Sequence, residues 1–181
     1  MMQSFRLIAV ALTLCLSSLG AVASPVAEIA ELEVRQPPPG GPHWPPAVCN
    51  PNESGPHLQA RQQAALDDFA RLYFVERDID TAFDRWVPGQ YIRHNPNAEQ
   101  GRHTAIPALK ALWGNPQMTT SNRSWFAGEG YGMLHFKFRI GAANTNMAVV
   151  DKFRFQGTCI VEHWDVMQVI TGNEPNPIAF F

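Results

Sequence analysis

The order of elements in this chain predicts an α+β fold, with helices first and an antiparallel meander after them. Two patterns carry that expectation. Between Gln59 and Leu112 apolar residues return every three or four positions. From Thr119 onward they alternate with polar ones, and glycine-bearing turns break the alternation at 128–130, 141–146 and 156–158. A length of 181 residues suits one domain, and 45% hydrophobic residues are enough for a core. A formal net charge of −2 argues against a broad nucleic-acid-binding face.

The helices come first. Gln59 to Glu76 reads as amphipathic, with Ala65, Phe69, Leu72 and Tyr73 on one side and Asp67 and Arg71 as an i,i+4 pair on another. Asp80 is the expected cap of a short second helix carrying Ala82, Phe83 and Trp86, which Pro88-Gly89 ends. Tyr91 to His94 is a brief extended piece, stopped by Asn95-Pro96. Thr104 is the expected cap of a third helix. Pro107 falls in its first turn, where a missing N–H costs little, and Ile106, Leu109 and Leu112 form its inner side. Strands are then expected at 119–127, 131–140, 147–155 and 159–170.

The N-terminus has a different character. Arg6 precedes the apolar run Leu7 to Leu19, and Ala21-Val22-Ala23 fits a small-x-small cleavage pattern. Residues 1–23 therefore read as a signal peptide, and the mature chain as secreted, with no membrane span after cleavage. Residues 24–56, with PPPGGPHWPP at 37–46, read as a proline-rich flexible arm. The domain proper is expected over 57–175, with a tail at 176–181. Cys15 leaves with the signal, so Cys49 and Cys159 remain, an even count in an oxidising compartment. Their pairing would tie the arm to the last hairpin; two free thiols is the competing reading. Secretion also opens two sequons to glycosylation, Asn52-Glu53-Ser54 and Asn122-Arg123-Ser124.

Chemistry points to one strand. Met147, Val149, Asp151, Phe153 and Phe155 share a face, and a charge among such neighbours needs a partner. Asp151 is thus the leading candidate for acid–base work, set against a purely structural pairing that fixes the fold. Counting back from the turns places Asp151 opposite residue 135 or 136 on one side and 163 or 164 on the other. With a two-residue Gly157-Thr158 turn, Glu162 and Trp164 would share its face, and His163 and Asp165 would take the other. His135 reads either as solvent-facing, opposite a Phe face, or as a cavity wall. The six histidines show no H-x-H or H-x-x-x-H spacing and no supporting cysteine cluster, so no metal site is expected. A phosphate-cradling Gly loop and a G-x-S-x-G elbow are also missing from the sequence, and no cofactor is expected.

The blocks YIRHNPNAEQGRHTAI (Tyr91 to Ile106) and AVVDKFRFQGTCIVEHWDVMQ (Ala148 to Gln168) resemble the SnoaL-like polyketide cyclase family, and the similarity spans about Gln59 to Ile170. The resemblance implies three helices closing over a curved antiparallel sheet, a cone-like α+β barrel with a deep apolar cavity. It implies that Asp151 matches an acid–base aspartate and His135 a cavity histidine, with His94 near the mouth. The turn Gln156-Gly157-Thr158-Cys159 departs from the family's usual Asp-Gly or Asn-Gly-Lys.

Together these readings give an expected function. It is a cofactor-independent cyclase, dehydratase or isomerase acting on a small, largely apolar, carbonyl-bearing molecule of polyketide type. Asp151, His135 and His94 would be catalytic. Tyr91, Trp86, Met133, Phe153 and Trp164 would line the substrate site. The alternative is a non-catalytic binder of a hydrophobic ligand on the same fold, with the sheet's outer face free to form a homodimer. Epoxide hydrolysis is a third reading that needs further polar partners around Asp151.

Overall fold

The computed structural model describes residues 49–141 and 145–181. The signal segment, the arm up to residue 48 and the turn at 142–144 lie outside the described residues. Helix α1 (Leu58–Arg71) runs on through a π-helical turn (Leu72–Glu76) and is followed by α2 (Ile79–Trp86), β1 (Ile92–Arg93) and α3 (Arg102–Trp113). Then come β2 (Met118–Gly128), β3 (Tyr131–Ile140), β4 (Thr145–Gln156) and β5 (Cys159–Val169). The strands form a single sheet in the order β1-β5-β4-β3-β2. Neighbours are antiparallel except β1, which runs parallel to β5. The sheet is therefore mixed and does not close, and β1 and β2 are its two edges.

The helical stripe read from the sequence is the buried one: Ala65, Phe69, Leu72 and Tyr73 all lie in the core, joined by Leu66, Phe83, Phe136 and Phe153. Phe69 sits at the centre, its ring 5.4 Å from Phe153 and 6.2 Å from Phe83. Removing buried aromatic surface of this kind costs about 3–5 kcal/mol, so Phe69 is a keystone of the helix–sheet contact.

Local signals differ from expectation in three places. The cap of α2 is Asp78, whose Oδ1 accepts the Thr81 N–H at 3.0 Å; Asp80 lies in the first turn and pairs with Lys110 instead. Helix α3 starts at Arg102, so Pro107 sits in its second turn, and Thr104 Oγ1 donates back to the Gly101 carbonyl at 3.0 Å rather than capping. Arg71 pairs with Asp68 and Glu76, while Asp67 accepts from Gln63 and from Trp125 Nε1.

Asp68 is a hub between the first two helices. It accepts from Arg71 within α1, from Arg85 Nη1 at 3.1 Å and from Trp86 Nε1 at 2.9 Å. Burial pushes its carboxyl up, and the donated hydrogen bonds from Arg71, Trp86 and Arg85 together outweigh that and hold it below its ordinary 3.8.

Residues 49–52, assigned from sequence to the arm, are fastened to the tip of the β4–β5 hairpin. Cys49 and Cys159 form the disulfide, with Cα atoms 5.0 Å apart. Asn50 exchanges hydrogen bonds with Thr158, its N–H donating to Thr158 Oγ1 (2.9 Å) and its carbonyl accepting from Thr158 N–H (3.0 Å). Gly157 is required at the crossing. Its φ is +55°, and an added Cβ would lie 2.1 Å from the Asn50 carbonyl oxygen. Gln62 of α1 donates to the Gly157 carbonyl at 2.8 Å, so helix, arm and hairpin meet at one point.

Gln100, in the segment between β1 and α3, completes the β1 edge. Its side-chain amide accepts from the Arg93 N–H (2.9 Å) and donates to the Arg93 carbonyl (2.5 Å), as a neighbouring strand would.

The disulfide closes a separation of 110 residues. Replacing both cysteines by serine should lower the unfolding free energy by about 5 kcal/mol in the chain-entropy model, read as a fall in the urea midpoint. Asp68→Ala should cost about 1–3 kcal/mol by the same measurement. Because the folded-state pKa of Asp68 is depressed, its contribution is present above its unfolded value and lost as pH falls through the folded one. A mutant equally stable at neutral pH would show that the hub contributes nothing.

Candidate active site

Register decides which side chains share the cavity. Across β3 and β4, Asp151 faces Leu134; across β4 and β5 it faces Asp165. Both partners differ from the sequence count. The β3–β4 pairing is offset by one position from the nearer of the two expected. On the other side a β-bulge intervenes: Phe155 pairs with Ile160 and Arg154 with Glu162, leaving Val161 as an extra residue. One inserted residue exchanges the two faces of everything beyond it. His163 and Asp165 therefore turn inward with Asp151, while Glu162 and Trp164 turn outward, the reverse of the two-residue-turn expectation.

The result is a cavity of about 230 Å³ between the sheet and the helices. Its walls are largely apolar, including Phe69, Phe83, Trp113, Phe136 and Phe153. Its polar lining comes from three neighbouring strands and the segment after β1: Arg93 from β1, Asp151 from β4, His163 and Asp165 from β5, and Asn95 just past β1. Asp151 is 5% exposed and His163 is 8% exposed. His163 Nε2 lies 3.2 Å from Asp151 Oδ1. The imidazole is held between Phe153 (ring centroids 5.1 Å) and Tyr91 (6.0 Å), both nearly parallel to it. Asn95 Nδ2 donates to Asp165 Oδ2 at 2.6 Å. Arg93 stands beside His163 because β1 pairs with β5 there, and its Nη1 donates to the Glu99 carbonyl at 3.0 Å.

Two buried tyrosines complete the polar set. Burial, and after it the charge of Asp151, push the phenols of Tyr73 and Tyr91 well above their ordinary value, so both keep their protons. Neither hydroxyl has a hydrogen-bond partner among the described residues, and both side chains line the cavity. One ligand atom from each of Asp151, His163 and Asp165 also lies within 4.8 Å of the others. Two carboxylates and an imidazole are donors a divalent cation accepts. No histidine spacing announced this group, because it forms across strands.

Of the residues expected at the site, Asp151, Phe153 and Tyr91 line the cavity. The others do not. His135 faces Val150 and Ser124 on the outward side of the sheet, its ring stacked 4.8 Å from Phe181. Partial burial there lowers its pKa. Met133 and Trp164 both pair with Lys152 and share that outward side. His94 stacks on Trp164 at 4.5 Å and bonds Glu162 Oε1 through Nε2 at 2.8 Å, while its chain neighbours Arg93 and Asn95 take the cavity side. Trp86 is spent on Asp68. Sequence leaves open whether His163 or Trp164 joins Asp151, and the structure decides for His163; Asp165, Asn95 and Arg93 carry no sequence sign of a site role. The only local sign of the register was the apolar pair Cys159-Ile160, both buried, which breaks strict alternation at the start of β5.

No family model and no curated protein sequence matches the chain. Solved structures do. An NTF2-like protein of unknown function from Mesorhizobium loti matches with TM-score 0.52 and 13% identity, over 64% of this chain and 97% of that one. AclR, a proposed hydroxylase from Streptomyces galilaeus, matches with TM-score 0.50 and 16% identity, over 65% and 89%. A proposed polyketide cyclase from Bacillus cereus gives 0.49 and 12%, over 69% and 86%. At these identities the likeness is one of fold. The chain has the NTF2-like α+β fold, consistent with the resemblance to SnoaL-like proteins drawn from Tyr91 to Gln168.

Asp151 and Asp165 are directly opposed like charges, an arrangement that weakens a sheet by a few tenths to about 1 kcal/mol. Asp165→Asn should therefore raise the thermal midpoint slightly at neutral pH. A lower midpoint would mean that the contact with Asn95 outweighs the repulsion.

Proposed function

We propose that this protein is an exported enzyme that moves a proton on a small, largely apolar, carbonyl-bearing metabolite, in the manner of a cyclase, dehydratase or isomerase. AclR, which shares the fold, is named as a proposed hydroxylase, in keeping with an enzyme. The observation that carries the reading is Asp151: a carboxylate 5% exposed, on an aromatic-walled cavity, with an imidazole nitrogen at 3.2 Å. A buried carboxylate is costly unless paired, and this one is paired at the edge of space a ligand can fill.

The expected donors, His135 and His94, lie on the other side of the sheet, so the chemistry passes to different groups. Asp151 takes the proton alpha to the carbonyl. His163 orients the carboxylate through its Nε2 contact. Tyr91 or Tyr73, held protonated by burial, donates to the developing enolate oxygen. Aromatic walls exclude water and hold the apolar body of the substrate. Export rests on Arg6, the Leu7–Leu19 run and Ala21-Val22-Ala23.

Asp165 favours a second reading. Two opposed carboxylates, one fixed by Asn95, suit the activation of a water for addition to an electrophilic carbon such as that of an epoxide. Incorporation of oxygen-18 from labelled water into a new carbon-bound hydroxyl of the product, as opposed to its exchangeable carbonyl, separates the two: hydration places it there, and enolisation does not.

Deleting the gene should leave one apolar carbonyl metabolite accumulating. Purified protein should exchange its α-proton in heavy water. Asp151→Asn should cut that exchange by about 10²–10⁴-fold while the fold survives. Undiminished exchange in the mutant would end the proposal. A metabolite that binds but never reacts would instead favour a non-catalytic binder.

A further inference from the structure

An open sheet has two edges, and each exposes backbone groups that can recruit another strand. The β1 edge is closed by the Gln100 amide. The β2 edge is closed only at its ends. Gln63 Oε1 accepts the Ala127 N–H at 2.7 Å, and Arg77 Nη2 donates to the Met118 carbonyl at 3.2 Å. Between Thr119 and Phe126, no side chain among the described residues bonds to the free backbone of that edge. Phe126 on the same strand is 59% exposed. Such a stretch is a site for unwanted pairing.

The sequon lies in the middle of this gap. Ser121 pairs with Lys137 and Ser124 with His135, so Asn122 and Arg123 together oppose Phe136. Arg123 turns back onto the core, its guanidinium 5.7 Å from the Phe74 ring centroid. Asn122 is then the extra residue of the bulge. It is exposed, and its φ of +50° is a conformation that asparagine tolerates better than most residues. Ser124 is exposed as well.

We propose that Asn122 is an N-glycosylation site whose glycan shields the uncovered part of β2 from strand pairing. In the transfer, Asn122 Nδ2 forms a bond to the anomeric carbon of a lipid-pyrophosphate-linked oligosaccharide. The bond from that carbon to the pyrophosphate oxygen breaks, the lipid pyrophosphate leaves, and Nδ2 gives up one proton to the transferase. The bulky, hydrated sugar then occupies the space an incoming strand would need. This inference rests on the proposed export.

The test uses protein recovered from the medium of its own producing cells. Glycopeptide mass spectrometry should find a glycan on Asn122. Ser124→Ala, which removes the sequon but keeps Asn122, should give protein that associates with rising concentration in sedimentation. Ser124→Thr, which preserves the sequon, and Asn52→Gln should sediment as wild type. An unoccupied Asn122 in exported protein overturns this inference alone, as does a Ser124→Ala protein no more associated than wild type. Protein retained inside the cell, with its N-terminus uncleaved, overturns the export reading with it.

Discussion

Val161 is the residue on which the cavity's chemistry depends. It has no partner position in β4, and everything downstream of it in β5 is displaced by one place. Without that displacement Glu162 and Trp164 would line the cavity, and His163 and Asp165 would face outward. The partner of Asp151 would be an indole or a longer carboxylate, not an imidazole. A bulge is an economical device here because a strand's side chains have a period of two. A single extra residue re-aims a whole half-strand while the core residues before it, Phe155 and Ile160, stay buried.

The bulge needs a fixed point, and the hairpin tip provides it. The disulfide, the paired hydrogen bonds between Asn50 and Thr158, and the Gln62 contact to Gly157 all meet within a few residues of Val161. A strand end anchored to an arm, a helix and a covalent bond cannot easily slip its register. Residues 49–52 are thus part of what orients the candidate site, although among the described residues they contribute no side chain to the cavity lining.

Much of the scaffold was legible because its signals are periodic. The strand limits at 118–128, 131–140, 145–156 and 159–169 follow alternation and glycine turns, and the inward face of β4 was read correctly. The disulfide follows from the cysteine count and the expectation of export. The site was legible only in part. Asp151, Phe153 and Tyr91 stood out as residues, but their partners are set by register, which side-chain type does not encode. The face of His163 and Asp165 stays open in the sequence, and counting from a two-residue turn alone puts them outside, because no residue announces the bulge. Asn95 and Arg93 were missed because a two-residue strand joined in parallel to β5 leaves no periodic trace. His135 shows the converse: a family resemblance pulled it toward the cavity, while its own strand's alternation already placed it outside.

Gln100 closes the β1 edge and belongs to the same short segment as Asn95, which holds Asp165, and Glu99, which holds Arg93. Substrate admission along this flank would have to unlatch all three at once. Opening would strip a strand of its stand-in neighbour, loosen the carboxylate facing Asp151 and free a guanidinium in one motion. The edge of the sheet and the polar groups of the pocket thus share their fastenings within six residues, so one local loosening would disturb both.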